Sequence, residues 1–252
     1  MPYFPLGYPD LNTSIDVIEA LAKNGADLIE VGLSFSDPLA DGPVIQKATQ
    51  VALEQGITVK KSLDAVRELR HRGVDIPLVF MGYYNPMLAY GLVKFVCDAI
   101  EAGIDGFIVP DLPLEEADEF TSVLSSASTT PRAPFSALPL VQMLAPTTPD
   151  ERMERIARNA QGFIYLVSVT GVTGERKSIS NGLSDLISRV RLHTTVPVCV
   201  GFGIGTSEQA REVGRMADGV IVGTACVRTI GESKTPQETA KQFAAEFRRA
   251  LS

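Results

Sequence analysis

The chain has 252 residues, of which 45% are apolar and 21% charged, an ordinary composition for a globular protein with a sizeable core. Its net charge of −7 argues against a nucleic-acid-binding protein, which normally has a basic face, but not against an anionic substrate, because helix N-termini bind phosphate without a cationic surface. We expect no membrane span and no signal peptide, since no apolar run approaches about 20 residues and the opening MPYFPLGYPD lacks the required regions.

Short apolar runs alternate with amphipathic segments along the whole chain. The runs that predict strands are Tyr3–Leu6, Leu28–Gly32, Pro77–Met81, Gly106–Val109, Leu138–Leu144, Gly162–Val167, Val196–Gly201 and Gly219–Gly223. Segments that predict helices include Ser14–Asn24, Lys61–Arg72, Leu92–Ala102, Leu114–Leu124, Pro149–Asn159, Ser207–Met216 and Pro236–Leu251. Such alternation predicts an α/β fold with a parallel sheet covered by helices, and eight strands close into a (β/α)8 TIM barrel.

We expect one barrel domain over residues 1–252, although two small domains could also be built from this length. An open doubly wound sheet is the competing architecture, but GYPD after the first strand is not its Gly-rich fingerprint. The chain begins almost directly with strand one, so we expect no helix before that strand and an uncovered barrel floor. Ser125–Pro139 is rich in Ser, Thr, Pro and Ala and predicts a mobile loop.

Glu30 is the first candidate for chemistry. Strand alternation places it on the same side as Leu28 and Gly32, pointing into the barrel. Burying a carboxylate there is costly unless it is paired or its pKa is raised. The alternative to a functional acid/base is a buried ion pair, but no predicted strand carries an inward-facing Lys or Arg. The pattern therefore favours an acid/base at the end of a barrel strand.

The segment SFSDPLADGP after that strand contains Asp37 and Asp41. Asp-Pro and Asp-Gly form turns, so each aspartate could simply make an Asx-turn or cap a helix. Asp41 is the better functional candidate, because a second carboxylate near Glu30 would provide two differently tuned acids for proton transfer.

Glycine-rich loops follow three successive predicted strands. They are Gly171–Gly174, the segment GFGIGTSEQA and the segment GVIVGTACV. Gly203, Gly205 and Gly223 permit close backbone approach, and Thr206 and Thr224 add hydroxyls beside free N–H groups. Each cluster could form a plain turn, but three at one rim favour a phosphate site.

The three cysteines are too few and too scattered for a disulfide framework or a metal site. Cys199 and Cys226 lie in apolar runs and are expected to be buried. His71 and His193 lie in polar helix-end contexts, so we expect no metal. A reducing cytosol, or a plastid stroma, fits this cysteine usage.

At this point the sequence resembles a known family. The segment IEVGLSFSDPLADGPVIQ is similar to the most distinctive motif of the tryptophan synthase α-subunit family. The resemblance continues, in order, through MGYYNPML, GFIVPDLPLEEA, GFIYLVSVTGVTG, VGFGI and GVIVGTA, and it covers nearly the whole chain.

The resemblance implies roles for individual residues. Glu30 matches the family's principal acid/base and Asp41 its second catalytic carboxylate. The positions that would line the indole pocket are Tyr3, Met81, Ile108, Tyr165 and Phe202. The positions that would bind phosphate or lie in the loop closing over substrate are Thr173, Gly174, Gly203, Gly223 and Thr224.

The resemblance also implies an activity: cleavage of indole-3-glycerol phosphate to indole and glyceraldehyde 3-phosphate in tryptophan biosynthesis. It implies no cofactor in this chain, a β-subunit partner that carries pyridoxal phosphate, and an α2β2 assembly. A stand-alone lyase would share every catalytic residue. A non-catalytic barrel that only activates a partner, or a sugar-phosphate isomerase, would not explain Glu30 together with SFSDPLADGP.

Overall fold

The computed structural model describes residues 1–127, 138–167, 180–201 and 203–252. Eight parallel strands form one sheet in which each strand pairs with its neighbours in the chain. The strands are β1 (Tyr3–Pro5), β2 (Ile29–Gly32), β3 (Leu78–Met81), β4 (Gly106–Ile108), β5 (Leu140–Leu144), β6 (Ile164–Val167), β7 (Val198–Gly201) and β8 (Gly219–Val220).

Hydrogen bonds between the first and last strand segments close the sheet on itself. Pro2 and Val222 form a parallel bridge, and the Tyr3 N–H donates to the Val222 carbonyl at 3.1 Å. The Val222 N–H donates in turn to the Met1 carbonyl at 2.9 Å. The predicted (β/α)8 TIM barrel is therefore confirmed.

Helices cover the outside of this barrel. They are α1 (Leu11–Lys23), α2 (Pro43–Glu54), α3 (Val59–His71), α4 (Tyr84–Tyr90), α5 (Leu92–Ala102), α6 (Asp118–Ala127), α7 (Asp150–Asn159), α8 (Ser180–Arg191), α9 (Ser207–Gly214), α10 (Thr224–Gly231) and α11 (Pro236–Leu251). Local chemistry sets their ends: Asp10, for example, accepts the Thr13 N–H at 2.9 Å and so caps the start of α1.

Alternation along each strand divides the core into two layers. Outward side chains meet the helices, as where Phe107 of β4 contacts Phe95 of α5 and Phe120 of α6 with ring centroids 5.7 and 5.4 Å apart. Burying one such ring stabilises the fold by roughly 1.5–3 kcal/mol. Inward side chains form a separate cluster inside the barrel, which includes Ile108 and Tyr165.

Two aspartates fasten neighbouring strands at their amino ends. Asp105, just before β4, accepts the Leu78 N–H of β3 at 2.8 Å and pairs with Arg70 of α3. Asp218, just before β8, accepts the Val198 N–H of β7 at 2.9 Å and lies 2.9 Å from the guanidinium of Arg191. The same hydrogen bond from a strand N–H to an aspartate carboxylate thus joins β3 to β4 and β7 to β8.

The observed strands confirm the predicted ones to within about two residues at most ends, and α5 and α11 begin and end where the pattern places them. The predicted helix Leu114–Leu124 is wrong as one element, because a 3-10 turn at Leu114–Glu116 precedes α6. The predicted loop Ser125–Pro139 is wrong at its start, since α6 continues to Ala127. Residues 128–137 of that loop lie outside the described residues.

Side chains close the amino-terminal end of the barrel. Phe163 and Cys199 point inward there and are 6% and 5% exposed. The half-buried side chains of Met1 and Leu28 pack against the same inner cluster. In the described residues no helix precedes β1, as expected, and these side chains fill the inside of the barrel at this end.

Candidate active site

Glu30 lies inside the barrel on β2, between Tyr3 of β1 and Val79 of β3. It is 1% exposed, and no described group donates to or accepts from its Oε1 atom. Burial raises the pKa of this carboxyl from 4.5 to about 8. The predicted inward direction is thus confirmed, and no ion pair of the described residues includes Glu30.

A comparison between strands shows how unusual this carboxylate is. Ala26–Asp27, Ile104–Asp105 and Ala217–Asp218 each precede an even-numbered strand, β2, β4 or β8. The third residue after the aspartate points inward in each case: it is Ile108 on β4, Ile221 just past β8 and Glu30 on β2. An apolar side chain therefore satisfies packing at this position in the other two cases, and the buried carboxyl of Glu30 is the exception.

Two tyrosines extend toward the carboxyl ends of the strands from inside the barrel. A Cβ atom placed on Gly32 would lie 2.4 Å from the Tyr3 hydroxyl oxygen, and one placed on Gly201 would lie 2.5 Å from the Tyr165 hydroxyl oxygen. Each tyrosine therefore crosses a glycine of the next strand, so that its hydroxyl points toward the carboxyl ends of the strands. This is the end at which barrel enzymes place their chemistry.

The two tyrosine hydroxyls share one electrostatic environment with both candidate carboxylates. Burial raises the pKa of Tyr3 well above 10.0, and the charges of Asp41 and Glu30 raise it further. Burial also raises the pKa of Tyr165 well above 10.0, again with contributions from Glu30 and Asp41. Tyr3 and Tyr165 therefore each lie close enough to both Glu30 and Asp41 to feel their charges, and the joint catalytic role of the two carboxyls remains a prediction.

Asp41 lies in the loop between β2 and α2 and is half-buried. Its Oδ2 accepts the hydroxyl of Tyr83 at 3.0 Å. Burial raises the pKa of Asp41, and the hydrogen bond from Tyr83 opposes that rise. Asp37, by contrast, is exposed and accepts from the neighbouring Ser36 hydroxyl at 2.5 Å, which fits the turn that Asp-Pro predicts.

The other residues expected in the indole pocket have a mixed outcome. Ile108 is fully buried inside the barrel, and Met81 is half-buried against the same inner cluster. Met81 projects inward from β3, which is the neighbour of β2, and Ile108 projects inward from β4, the next strand along. Phe202, Thr173 and Gly174 lie outside the described residues. The pocket assignments of these residues remain predictions.

The expected phosphate positions lie around the ends of β7 and β8. Gly223 precedes α10, and no side chain caps that helix, whose first turn has no acidic residue. Thr224 is the first residue of α10 and is exposed, while Gly203 after β7 has φ of 80°. An uncapped helix N-terminus of this kind suits an anion.

One expectation about free N–H groups in this region is wrong. Gln209 Oε1 accepts from the Gly205 N–H at 2.8 Å and the Thr206 N–H at 3.3 Å. The Thr206 hydroxyl accepts in turn from the Gln209 N–H, so the start of α9 is a capping box. The N–H groups of Gly205 and Thr206 are therefore already used, and α10 remains the open helix end of the two.

Other chemistry is not indicated in the described part of the chain. It contains no cluster of His, Cys, Asp and Glu able to hold a metal ion, and no helix long and apolar enough to cross a membrane. Cys199 and Cys226 are buried, as expected. Burial raises the pKa of the Cys199 thiol to about 12, so this sulfur stays protonated.

Tyr83 is the site residue that the sequence does not single out. It occurs in the motif MGYYNPML, directly after β3, and strands of a barrel commonly place functional residues just past their carboxyl ends. That position was an available signal. The start of α4 determines whether Tyr83 or Tyr84 turns toward Asp41, and the sequence pattern does not predict this short helix.

A closed (β/α)8 barrel with a buried carboxyl that belongs to none of the described ion pairs is the arrangement expected of a barrel enzyme that uses acid–base chemistry. Comparison with known proteins then places the chain more narrowly. The model of the family described as "Tryptophan synthase alpha chain" matches residues 1–251. The chain belongs to the tryptophan synthase alpha chain family.

Individual relatives agree with this family. The tryptophan synthase alpha chain of Roseiflexus castenholzii is 47% identical over 100% of this chain and 92% of its own length. That of Chloroflexus aurantiacus is 45% identical over 100% of this chain and 91% of its own. The crystal structure of tryptophan synthase subunit alpha from Legionella pneumophila is 36% identical with a TM-score of 0.88, covering 99% of this chain and 91% of the other.

Proposed function

We propose that this chain is a carbon–carbon lyase that cleaves indole-3-glycerol phosphate into indole and glyceraldehyde 3-phosphate, as an α-subunit in tryptophan biosynthesis. The observation that carries this proposal is Glu30. Its pKa of about 8 means that the carboxyl is mostly protonated at neutral pH, and yet able to lose its proton within the physiological range. A group that first gives and later takes a proton needs this property.

The reaction breaks the bond between C3 of the indole ring and the first carbon of the glycerol chain. Glu30 protonates indole C3, which turns the ring into an indoleninium cation that can accept the electron pair of the breaking bond. The hydroxyl on that first glycerol carbon then loses its proton to the Glu30 carboxylate and becomes the aldehyde oxygen as the carbon–carbon bond breaks. Indole leaves with the proton on C3, and Glu30 is protonated again for the next cycle.

Asp41 has a different role in this scheme. Held ionised beside the indole N–H, its carboxylate stabilises the positive charge that develops on the ring. The hydrogen bond from Tyr83 favours that ionised form. Burial raises the pKa of both carboxyls, but only at Asp41 does a described hydrogen bond, the one from Tyr83, oppose that rise.

Phosphate anchoring supplies binding energy away from the reacting carbon. The uncapped start of α10, with Gly223 and Thr224, and the loop containing Gly203 are the described groups suited to hold the phosphate. Thr173 and Gly174 belong to the same proposed set. Fixing the phosphate there would position the glycerol chain over Glu30.

The expected partner is a tryptophan synthase β-subunit in an α2β2 assembly. That subunit would carry pyridoxal phosphate and receive the indole, so no cofactor is assigned to this chain. A stand-alone lyase would release free indole at a rate independent of any partner. A barrel that only activates a partner would cleave nothing.

The test is indole release from indole-3-glycerol phosphate by the purified chain, with and without a β-subunit. Slow cleavage alone and a large acceleration on mixing would support the α-subunit. Fast cleavage unchanged by the partner would indicate the stand-alone lyase. Absence of cleavage in both cases, from folded protein, would contradict the proposal. Glu30→Gln provides the control that any observed turnover comes from this site.

A further inference from the structure

Tyr83 joins two neighbouring loops at the carboxyl ends of the strands. It is the residue that precedes α4, directly after β3, and it is 4% exposed. Its ring packs against Phe35 with centroids 5.6 Å apart, and Phe35 lies in the same β2–α2 loop as Asp41. Packing therefore helps to fix the ring independently of the hydrogen bonds that its hydroxyl makes.

The Tyr83 hydroxyl makes two bonds to adjacent residues. It accepts the Ala40 N–H at 2.9 Å and contacts Asp41 Oδ2 at 3.0 Å. A backbone N–H can only donate, so the hydroxyl proton is free for the aspartate, and the carboxylate must be the acceptor. One phenol oxygen thus holds both the backbone and the side chain of the residue pair Ala40–Asp41.

Within the described ranges, the Asp41 carboxylate has no other such support. Among the described residues, Tyr83 is the donor to its oxygens, while Gln46 and Pro38 contact only its backbone. The loop is otherwise open to solvent, with Leu39 at 90% exposure. Without Tyr83, this half-buried carboxylate would have no donor in the part of the chain that the structure describes.

The turn that carries Tyr83 is itself held from the other side. Asp111, just past β4, accepts the N–H of Tyr84 at 3.0 and 3.3 Å through its two carboxylate oxygens. The loops after β2, β3 and β4 are therefore connected in sequence. The Tyr84 hydroxyl points elsewhere, toward Glu119 at 3.4 Å, and takes no part in this connection.

We propose that Tyr83 is a positioning residue for Asp41. It holds the Asp41 carboxylate beside the carboxyl ends of the strands, in the ionised form that the reaction uses. This inference rests on the proposed function, because the role of Asp41 is assigned there. Tyr83 acts through Asp41 and needs no contact with the substrate.

The groups that face Asp41 determine what a pH profile can reveal. They are Tyr83 after β3, Tyr3 on β1 and Tyr165 on β6, while Asp111 faces Tyr83 from its far side. Burial raises the pKa of all three tyrosines, which therefore stay neutral in the acidic range. Since the Tyr83 bond lowers the pKa of Asp41, removing the hydroxyl should move the acidic limb of the profile to higher pH.

The experiment compares Tyr83→Phe with Tyr84→Phe, a matched control that removes the neighbouring hydroxyl. Each variant is assayed for kcat and KM of indole-3-glycerol phosphate cleavage across pH, in the complex with a β-subunit. A carbon-13 NMR titration of the Asp41 carboxyl is run on the same proteins without substrate. Phenylalanine keeps the ring contact with Phe35, so both variants are expected to fold.

Tyr83→Phe should lower kcat/KM by about tenfold to a hundredfold, mainly through kcat, as expected for losing one hydrogen bond to a charged group. The acidic limb of the activity profile and the midpoint of the Asp41 NMR titration should both move to higher pH. Tyr84→Phe should match the wild type in both measurements. If Tyr83→Phe behaves like Tyr84→Phe, or loses activity with the Asp41 titration unmoved, the inference is overturned.

Failure of the proposed function can be told apart from failure of this inference. If the wild-type complex cleaves nothing, the proposed function is wrong, and the substrate-free titration decides alone. A higher midpoint of the Asp41 titration in Tyr83→Phe than in the wild type would then support the positioning contact. An unmoved titration would contradict it.

Discussion

Replacing Glu30 by glutamine should stabilise the protein while removing its activity. The carboxyl is 1% exposed, and burial raises its pKa from 4.5 to about 8. The folded state therefore binds this proton more tightly than the unfolded state. The contribution of Glu30 to stability is fully present below pH 4.5 and is lost as pH rises toward about 8.

The magnitude follows from the two pKa values. At about 1.4 kcal/mol per pH unit, ionising Glu30 in the unfolded chain removes roughly 3 kcal/mol of folding free energy at neutral pH and roughly 5 kcal/mol above the folded pKa. Glutamine cannot ionise, so Glu30→Gln should be free of this loss. Any fixed effect of the amide on packing is the same at every pH and cancels when the pH dependences are compared.

Urea unfolding followed by circular dichroism measures this effect, and the chain has no tryptophan to serve as a fluorescent probe. Near pH 5 the wild type and Glu30→Gln should differ little, whereas near pH 9 the variant should be more stable by several kcal/mol. The exposed Glu246→Gln change controls for the lost negative charge. Parallel stability curves for wild type and Glu30→Gln would refute the raised pKa, and with it the assigned acid/base role.

Three further changes test other parts of the site. Asp41→Asn should lower kcat/KM by about a hundredfold or more with little change in the urea midpoint, and a mild effect would reduce Asp41 to a loop residue. Gly32→Ala should lower the melting temperature, because its Cβ would lie 2.4 Å from the Tyr3 hydroxyl and 2.9 Å from the Pro5 Cα, and an unchanged melting temperature would contradict this close packing. Thr224→Asp should stabilise α10 by roughly 0.3–1 kcal/mol while raising KM, because a carboxylate favours the helix start but repels phosphate; an unchanged KM would remove α10 from the phosphate site.

Part of this protein could be predicted from the sequence because local rules govern it. Strand alternation places Glu30 inside the barrel without knowledge of any neighbour, since successive side chains of a strand point to opposite faces. Eight apolar runs separated by amphipathic segments determine the number of strands, and short connections determine their order. The buried environment of Cys199 and Cys226 follows from their apolar surroundings in the same way.

Other features depend on which segments meet in space, and these the sequence leaves open. Thr206 and Thr224 stand in similar glycine-rich loops. Of the two helices that follow, α9 has a glutamine placed to close a capping box, whereas the N-terminus of α10 has no side-chain cap. The contact between Tyr83 and Asp41 spans 42 positions and depends on where α4 begins. A residue pattern predicts local conformation. The hydrogen-bond donor that lowers the pKa of a carboxylate depends on packing between distant loops, so only the tertiary structure identifies that donor.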